Sequence, residues 1–260
     1  MRTPDDVLAY YADFDEDGRL GTFRLELERT KELLLRHLPP GGRVADVGGG
    51  TGRYAEWLVS LGYEVELVDP APNHLARARA RGGFGVHRAD ARKLPFPDRS
   101  FDSVLLLGPL YHLGERADRV AAVREAARVA RPAAVVAAAA ISRLAPLLNV
   151  LVRREMMERP DDALENMLEE VAIGRRVPPE RRRGVFPDAW FHRPEELAGE
   201  LGDGGVRVDA VYGVEGPGWL AEGTEDPAIL ARVLRVARFA EQDEALRPLS
   251  PHLLAVGKTA

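Results

Sequence analysis

An acidic residue followed at once by a glycine-rich turn is the stretch of this 260-residue chain best suited to bind a ligand. The run from Val44 to Gly52 is apolar up to Asp46 and then carries glycine at positions 48, 49, 50 and 52. A strand that ends in such a turn presents bare backbone N–H groups to a nucleotide-like ligand at the start of the next helix. A dinucleotide fingerprint would place its third glycine at position 53, which is occupied by Arg53. The turn therefore departs from the dinucleotide pattern.

Four further motifs follow the glycine turn in a fixed order. Asp69 ends the second apolar run, and Asp90 with Ala91 follows the third. Residues 94–102, a proline-rich approach that ends in an acid, lead into a continuous apolar run that is followed by residues 108–113. Taken with the glycine turn, this series resembles the motifs of the class I S-adenosylmethionine-dependent methyltransferases over roughly residues 40–140. A lone glycine turn is weak support for a family, whereas several motifs in order at the right spacing are strong support.

The resemblance implies S-adenosyl-L-methionine as the cofactor. Asp69 stands where the family has an acid on both ribose hydroxyls, and a carboxylate can accept from two vicinal hydroxyls at once. Asp90 and Ala91 stand where the family contacts the adenine amino edge with an acid and a backbone N–H. Arg19 resembles a residue that closes on the methionine end, where it could clamp the carboxylate, although a solvated arginine is the open alternative. The predicted cofactor-binding set is Asp46, Gly48, Gly50, Gly52, Asp69, Pro70, Asp90, Ala91, Leu107 and Arg19.

Methyl transfer requires an aligned acceptor and in some enzymes a base, so residues near the end of the fourth strand are the first catalytic candidates. His112 could deprotonate an acceptor hydroxyl or ammonium, or it could be a structural histidine that caps the next helix. Tyr111 is expected to shape the pocket. Tyr11 resembles a residue that closes over the methionine end, with core packing as its alternative. His192 could be a polar group in an aromatic pocket wall, or part of a hydrophobic hinge.

The elements that position these residues follow from apolar periodicity. Helical spacing predicts helices within 5–38, before a first strand at 43–47. Strands then alternate with helices up to residue 141, which predicts parallel pairing and right-handed crossovers. We predict an α/β fold with a doubly wound, seven-stranded, mostly parallel sheet that is Rossmann-like. The resemblance implies that its last strand is antiparallel.

The alternation of strands and helices stops after residue 141, and residues 142–193 show helical patterns without a clear strand. Insertions at strand ends often become lids, so we predict a helical lid here. Residues 1–141 would supply the N-terminal helices and the cofactor-binding half, and residues 194–260 would complete the same domain. The arginine-rich link 175–183 could attract an anionic acceptor or form a solvated loop.

Composition narrows the class of protein. The formal net charge is −5, so no overall electrostatic case exists for binding nucleic acid or an anionic membrane. The absence of cysteine removes disulfides and thiolate chemistry, and the polar N-terminus lacks the apolar core of a signal peptide. We therefore expect a cytoplasmic monomer or homodimer. His112 and His192 are isolated in sequence, so no metal site is expected.

These observations predict an enzyme that transfers a methyl group from S-adenosylmethionine to O or N of a small molecule. An NAD-dependent Rossmann oxidoreductase is an alternative that Asp46 and Arg53 disfavour. A methyltransferase acting on protein or RNA is a second alternative, against which the acidic charge and the expected lid argue. A third is a catalytically inactive protein that keeps the cofactor site.

Overall fold

Helices and strands alternate along the chain in a computed structural model, which describes residues 5–13, 24–152, 161–176 and 186–260. The helices are α1 (Asp5–Asp13), α2 (Arg24–His37), α3 (Arg53–Ser60), α4 (Pro72–Arg81), α5 (Arg116–Val129), α6 (Ala145–Val152), α7 (Asp161–Ile173), α8 (Pro194–Asp203) and α9 (Pro227–Ala240). The strands are β1 (Arg43–Val47), β2 (Glu64–Asp69), β3 (Gly85–Arg88), β4 (Phe101–Leu106), β5 (Ala130–Ile141), β6 (Arg175–Arg176), β7 (Ala189–Trp190), β8 (Val206–Gly213) and β9 (His252–Thr259). No helix among the described residues has both the length and the apolar character needed to cross a membrane.

Seven of these strands form one sheet in the order β3-β2-β1-β4-β5-β9-β8. The pairs from β3 through β5 are parallel, whereas β9 is antiparallel to both β5 and β8. The strand order reverses between β1 and β4, and a cleft opens at the carboxyl ends of the strands at such a switch point. The predicted doubly wound, mostly parallel sheet with an antiparallel last strand is confirmed.

Apolar clusters cover both faces of the sheet. One includes Val123 of α5, which packs on β4 and β5, and Leu197 of α8, which packs on β8 and β9. The other includes Leu58 of α3 and Leu75 of α4 packed on the opposite face. Because helices bury both faces, the central strands read as continuous apolar runs, as β4 does in the sequence.

The segment after β5 differs in one respect from the sequence prediction. It contains the expected helices α6 and α7, but β6 and β7 also pair there as a short antiparallel ribbon. The prediction that the insertion holds no strand is therefore wrong in this detail. Strands of two residues are too short to leave an alternating pattern, so this ribbon is visible only through its tertiary pairing.

Gly52 is required for packing at the start of α3. It is the N-cap residue, with φ of 88°, and a Cβ placed on it would lie 2.7 Å from Cζ of Phe84. Gly62 has a similar φ of 90°, but a Cβ there would meet nothing within 4 Å. Any other residue would be strained at either position, but only a residue at Gly52 would also be sterically crowded.

We expect Gly52→Ala to destabilise the protein by about 1–2 kcal/mol beyond Gly62→Ala, because overpacking adds to the cost of a positive φ. Urea unfolding of both variants measures the difference directly. Equal free energies of unfolding would show that Phe84 moves aside without cost.

Candidate active site

A cleft lies over the carboxyl ends of β1, β2, β4 and β5, and the glycine turn forms its floor. The N–H groups of Gly48 and Gly49 donate to the carbonyl of Val68, at 2.7 and 3.2 Å. A Cβ on Gly48 would lie 2.8 Å from Cδ of Pro109, so the turn and the segment after β4 approach as closely as glycine allows. The predicted residues that line the cleft are Asp46, Gly48, Gly50, Asp69, Pro70, Asp90, Ala91, Leu107, Tyr11, Tyr111 and His112.

Asp46 is a buried acid at the base of the cleft. Its side chain is fully enclosed, and neither carboxylate oxygen has a hydrogen-bond partner among the described residues. Burial, together with the nearby charge of Asp69, raises the pKa of Asp46 from 3.8 to about 7. A carboxyl in this state can be stabilised by a cationic or hydrogen-donating group on a ligand.

Asp69 is held by the backbone of two neighbouring segments. Its Oδ2 accepts from the N–H of Gly50 at 3.0 Å, and its Oδ1 accepts from the N–H of Ala71 at 2.8 Å. Nδ1 of His74 lies 3.4 Å from Oδ1. An ionised carboxylate has about four acceptor sites, so Asp69 retains the capacity to bind a pair of ligand hydroxyls while its orientation is fixed.

Asp90 already has a strong intramolecular partner. Both of its carboxylate oxygens accept from the Arg92 guanidinium, with Nη2 at 2.7 Å from Oδ2. Arg92 also pairs with Asp118 at 2.8 Å. Asp90 still lines the cleft, but any ligand must share this carboxylate with Arg92. The predicted contact of Asp90 with the adenine edge therefore stays a prediction.

Helix α1 closes one side of the cleft through Tyr11. Its phenol oxygen lies 2.8 Å from Nε2 of His112, and its ring packs 4.9 Å from that of His74. Asn73 donates to the carbonyl of Tyr11, which ties α1 to the start of α4. Sequence separation between Tyr11 and His112 is 101 residues, so their contact could not be inferred from spacing.

Phe186, in the segment between β6 and β7, reaches the same region. Its ring centroid lies 5.7 Å from that of His112 and 5.7 Å from that of Tyr10. An aromatic side chain of the insertion therefore packs against both α1 and the turn after β4, over one wall of the cleft.

His192 does not belong to the cleft, so its predicted catalytic role is corrected. Its ring is fully buried, and Nε2 lies 3.0 Å from Oε2 of Glu200. Arg119 makes a buried ion pair with the same carboxylate at 2.7 Å and lies 4.3 Å from the Trp190 ring. Burial lowers the pKa of His192. The alternative weighed in the sequence, a hinge that seats the insertion, fits this placement.

The remaining predicted features are Gly52, Arg19 and the arginine-rich link. Gly52 lies close to Phe84 and is not among the residues that line the cleft, so its predicted cofactor contact stays a prediction. Arg19 lies outside the described residues. In the arginine-rich link, Arg175 pairs with Asp188 at 2.9 Å and Arg176 donates to the carbonyl of Phe186, and positions 177–183 are outside the described residues. The two described arginines are therefore engaged within the protein.

Sequence reasoning missed the residues at the far end of the cleft. Glu26 of α2, Thr30 and His252 line it there, and His74 lines it near Asp69. His252 pairs with Ile141 at the end of β5, and this strand register places His252 in the cleft. Because β9 is antiparallel, its first residue lies at the edge where the parallel strands end.

The groups that line the cleft fit S-adenosylmethionine. Its floor is the glycine turn, Asp69 can accept from two hydroxyls, and Asp46 offers a buried carboxylate with no hydrogen bond among the described residues. The sheet order and these residues define a nucleotide-cofactor-binding α/β protein with its cleft at the topological switch point.

Comparison with known proteins identifies a methyltransferase domain within the chain. A family model described as a methyltransferase domain matches residues 45–138. A probable tRNA methyltransferase 9B from Bos taurus is 35% identical over 103 residues, covering 38% of this chain and 21% of that protein. O-methyltransferase cnsE from Penicillium expansum is 29% identical over 191 residues, covering 66% of this chain and 68% of the relative. A SAM-dependent methyltransferase structure from Methanosarcina mazei superposes with a TM-score of 0.60 at 16% identity, covering 87% of this chain and 96% of that one.

The family match confirms the predicted methyltransferase domain over residues 45–138, and the superposition confirms its fold. The chain spans about a fifth of the length of the tRNA methyltransferase relative. That match covers 103 residues, which is too little to extend the relative's substrate to this chain.

Proposed function

We propose that this protein transfers a methyl group from S-adenosylmethionine to O or N of a small molecule. The observation that carries the proposal is the closure of the cleft by α1, where Tyr11 meets His112 at 2.8 Å, and by Phe186 of the insertion. The bound cofactor supplies the activated methyl group, so the protein must align an acceptor and exclude water. A cleft covered by α1 and by the insertion can align a small acceptor and exclude water.

The residues that would hold the cofactor are those at the ends of β1, β2 and β3. In this proposal Asp69 accepts from the ribose hydroxyls, Asp90 and the N–H of Ala91 meet the adenine, and the glycine turn cradles the remainder. Asp46 lies beneath the turn with Gly49 against its carboxylate, since a Cβ on Gly49 would lie 2.6 Å from Oδ2. Pro70 and Leu107 complete the walls.

His112, Tyr111 and Tyr11 form an aromatic group on the other side of the cleft. The His112 ring lies 4.5 Å from that of Tyr111 and 5.3 Å from that of Tyr11. In the proposal His112 is the candidate base, and the Tyr11 phenol orients its Nε2. In the structural alternative His112 only anchors α1, and the hydrogen bond between Tyr11 and His112 supports that role equally well.

Residues 142–193 are proposed to act as a lid over this cleft, with 1–141 and 194–260 forming the domain beneath. The contacts of Phe186 with Tyr10 and His112 support that assignment. Arg143 anchors the insertion from below, because its guanidinium pairs with Glu196 at 2.7 Å and donates to the Phe191 carbonyl at 2.8 Å.

A macromolecular acceptor is the second candidate, because the relative from Bos taurus is named as a probable tRNA methyltransferase. The matched segment of 103 residues corresponds in length to the proposed cofactor-binding part of the domain. In this proposal the segments that cover the cleft select the acceptor. The net charge of −5 offers no general attraction for RNA. We therefore favour the small molecule, in a cytoplasmic monomer or homodimer.

Thermal unfolding tests the cofactor assignment. S-adenosylhomocysteine at ~100 times its Kd should stabilise the protein by ~2.7 kcal/mol, because it binds the folded state alone. NAD at the same concentration should leave the melting temperature unchanged. A shift with NAD and none with S-adenosylhomocysteine would overturn the proposal.

Transfer of label from radioactive S-adenosylmethionine distinguishes the two acceptor classes. A small-metabolite extract should become labelled, whereas total tRNA should not. Labelling of tRNA alone would replace the small-molecule proposal with the macromolecular one, and labelling of neither by a protein that binds the cofactor would favour an inactive cofactor-binding protein.

A further inference from the structure

Helix α9 carries two stripes of side chains with the same spacing, and only one of them is buried. The buried stripe faces the protein and consists of Leu230, Val233, Ala237 and Ala240. The exposed stripe is one residue out of phase and consists of Ile229, Arg232, Val236 and Phe239. Both repeat at intervals of three, four and three residues, which places each stripe along one side of the helix. Apolar residues on two sides of a helix indicate that both sides are packed against something.

The apolar members of the exposed stripe present large side chains to solvent. The exposed fraction is 80% for Phe239, 47% for Val236 and 37% for Ile229. Single exposed apolar residues are ordinary at a protein surface, whereas three along one side of a helix form a patch of the kind that binds another surface. None of the three is among the described residues that line the cleft. The patch is therefore separate from the proposed active site.

Charges are distributed unevenly along this side of α9. Arg232 and Arg235 are exposed at its middle, and neither has a hydrogen bond or ion pair within the described part of the chain. In contrast, Arg238, on the side toward α2, pairs with Glu32 at 2.8 Å. The exposed acids lie beyond the two ends of the helix, and they are Glu222, Glu225, Asp243 and Glu244. The surface is therefore basic in the middle and acidic at its ends.

We propose that the exposed stripe of α9 binds a second copy of this chain in a symmetric dimer in which the two α9 helices are antiparallel. In a two-fold pair of parallel helices the same residues of the two copies meet, so the arginines would face each other at a cost in free energy. An antiparallel pair instead brings the basic middle of each helix toward the acidic end of the other. The surface is complementary to itself only in that direction.

The acids at the two ends of α9 also distinguish a second copy from other partners. An anionic membrane or a nucleic acid would attract Arg232 and Arg235, but the same surface would repel the acids that flank them. A second copy satisfies both sets of charges while it covers the apolar side chains. The proposal concerns assembly of the chain and does not depend on the proposed methyl transfer.

One antiparallel register pairs the apolar and the charged groups at the same time. When Val236 of each copy lies opposite Phe239 of the other, Arg232 lies opposite Asp243 and next to Glu244. Asp243 follows the helix within one turn, because its N–H donates to the carbonyl of Ala240 at 3.3 Å. The two-fold axis repeats each of these contacts, so the dimer contains two buried aromatic anchors and two pairs of opposite charge.

Sedimentation equilibrium of the full chain tests the dimer. The wild-type protein should show a monomer–dimer equilibrium with a Kd in the micromolar range, because one helix of 14 residues per copy forms an interface smaller than that of most stable complexes. Phe239→Ser should weaken the dimer at least ~30-fold, since aromatic anchors are among the most sensitive interface positions and each dimer loses two. Leu61→Ser, at an apolar position after α3 that is 46% exposed, should leave the Kd unchanged.

A charge swap at low ionic strength tests the antiparallel register. Arg232→Glu should weaken the dimer about 5- to 10-fold, because two attractive pairs become repulsive. Glu244→Arg should weaken it less, and it is preferred to a change at Asp243, which accepts backbone hydrogen bonds in the turn after the helix. An equimolar mixture of the two variants should form a heterodimer that is tighter than either homodimer. Arg79→Glu, the same change in charge at an exposed position of α4, should leave the Kd unchanged.

The fold of each variant is checked by its melting temperature and its affinity for S-adenosylhomocysteine. Both should match the wild-type values at low protein concentration, because the substituted side chains are exposed and lie outside the cleft. A failure of the wild-type protein to bind S-adenosylhomocysteine would contradict the proposed function and would leave the dimer to be judged by sedimentation.

Three results would overturn the proposal. The first is a wild-type protein that remains monomeric at ~1 mM, far above a micromolar Kd. The second is a dimer whose Kd is the same in Phe239→Ser and Arg232→Glu as in the wild type, which would place the interface elsewhere. The third is a monomer that co-sediments with phosphatidylserine vesicles and loses this binding in Phe239→Ser, which would identify the exposed stripe as a membrane contact instead.

Discussion

Asp69→Ala is expected to reduce the affinity for S-adenosylhomocysteine by at least about 100-fold. The carboxylate is proposed to accept from two ribose hydroxyls, and each charge-assisted hydrogen bond contributes ~1.5–3 kcal/mol. Two such bonds correspond to a loss of ~3–6 kcal/mol, and every 1.4 kcal/mol is about tenfold in Kd. The substitution also releases the N–H groups of Gly50 and Ala71 that Asp69 now holds, which loosens the turn that carries the cofactor.

Calorimetric titration with S-adenosylhomocysteine measures this loss. Asp98→Ala is the matched control, because Asp98 is an exposed acid, with 71% side-chain exposure, paired to Arg128 outside the cleft. Asp69→Asn separates the two contributions, since an amide keeps the side-chain volume and one acceptor oxygen. An affinity within threefold of wild type in Asp69→Ala would remove this residue from the cofactor site.

The stability of the ligand-free protein should fall as pH rises from about 4 to about 7, because of Asp46. Its pKa is raised from 3.8 to about 7 by burial and by Asp69, so in this window the folded state holds a proton that the unfolded state has lost. Unfolding then releases a proton, and stability decreases with pH. A shift of this size corresponds to a total of ~4 kcal/mol, at 1.36 kcal/mol per pKa unit.

Asp46→Asn removes this dependence, because an amide does not ionise. The variant should be more stable than wild type at pH 8 and should differ least near pH 4. Urea unfolding of both proteins at pH 4, 6 and 8, without cofactor, measures the two profiles. Asp98→Asn, at an exposed position, should follow the wild-type profile. Parallel profiles for wild type and Asp46→Asn would mean that Asp46 is ionised in the folded protein across this range.

The residues proposed to hold the cofactor could be named from the sequence because they lie in local motifs. Asp46 lies just before the glycine turn, Asp69 ends β2, and Asp90 closely follows β3. Parallel strands joined by right-handed crossovers place their carboxyl ends at one edge, so motifs separated by twenty residues must converge. A glycine needed for packing, as Gly52 is against Phe84, looks the same in sequence as one needed for a ligand.

The acceptor half depends on contacts between distant segments. His192 looked polar and available in an aromatic run, yet the tertiary structure buries it against Glu200 and Arg119. Conversely, His252 has no motif around it, and only the antiparallel register of β9 brings it beside Glu215 and Glu26. Glu26, Glu215 and His252 lie on three separate segments of the chain, so no local sequence pattern predicts that they lie close together.

The sequence alone therefore determined the class of fold, and its strand-end motifs carried the resemblance that implies the cofactor, since periodicity and such motifs act over short distances along the chain. The tertiary structure decided which side chains share the cleft with that cofactor. The Tyr11 contact with His112 spans 101 residues, and the contact of Glu26 with His252 joins α2 to β9. Such pairs form because helices and strands pack around a common core, so their positions follow from packing and strand register.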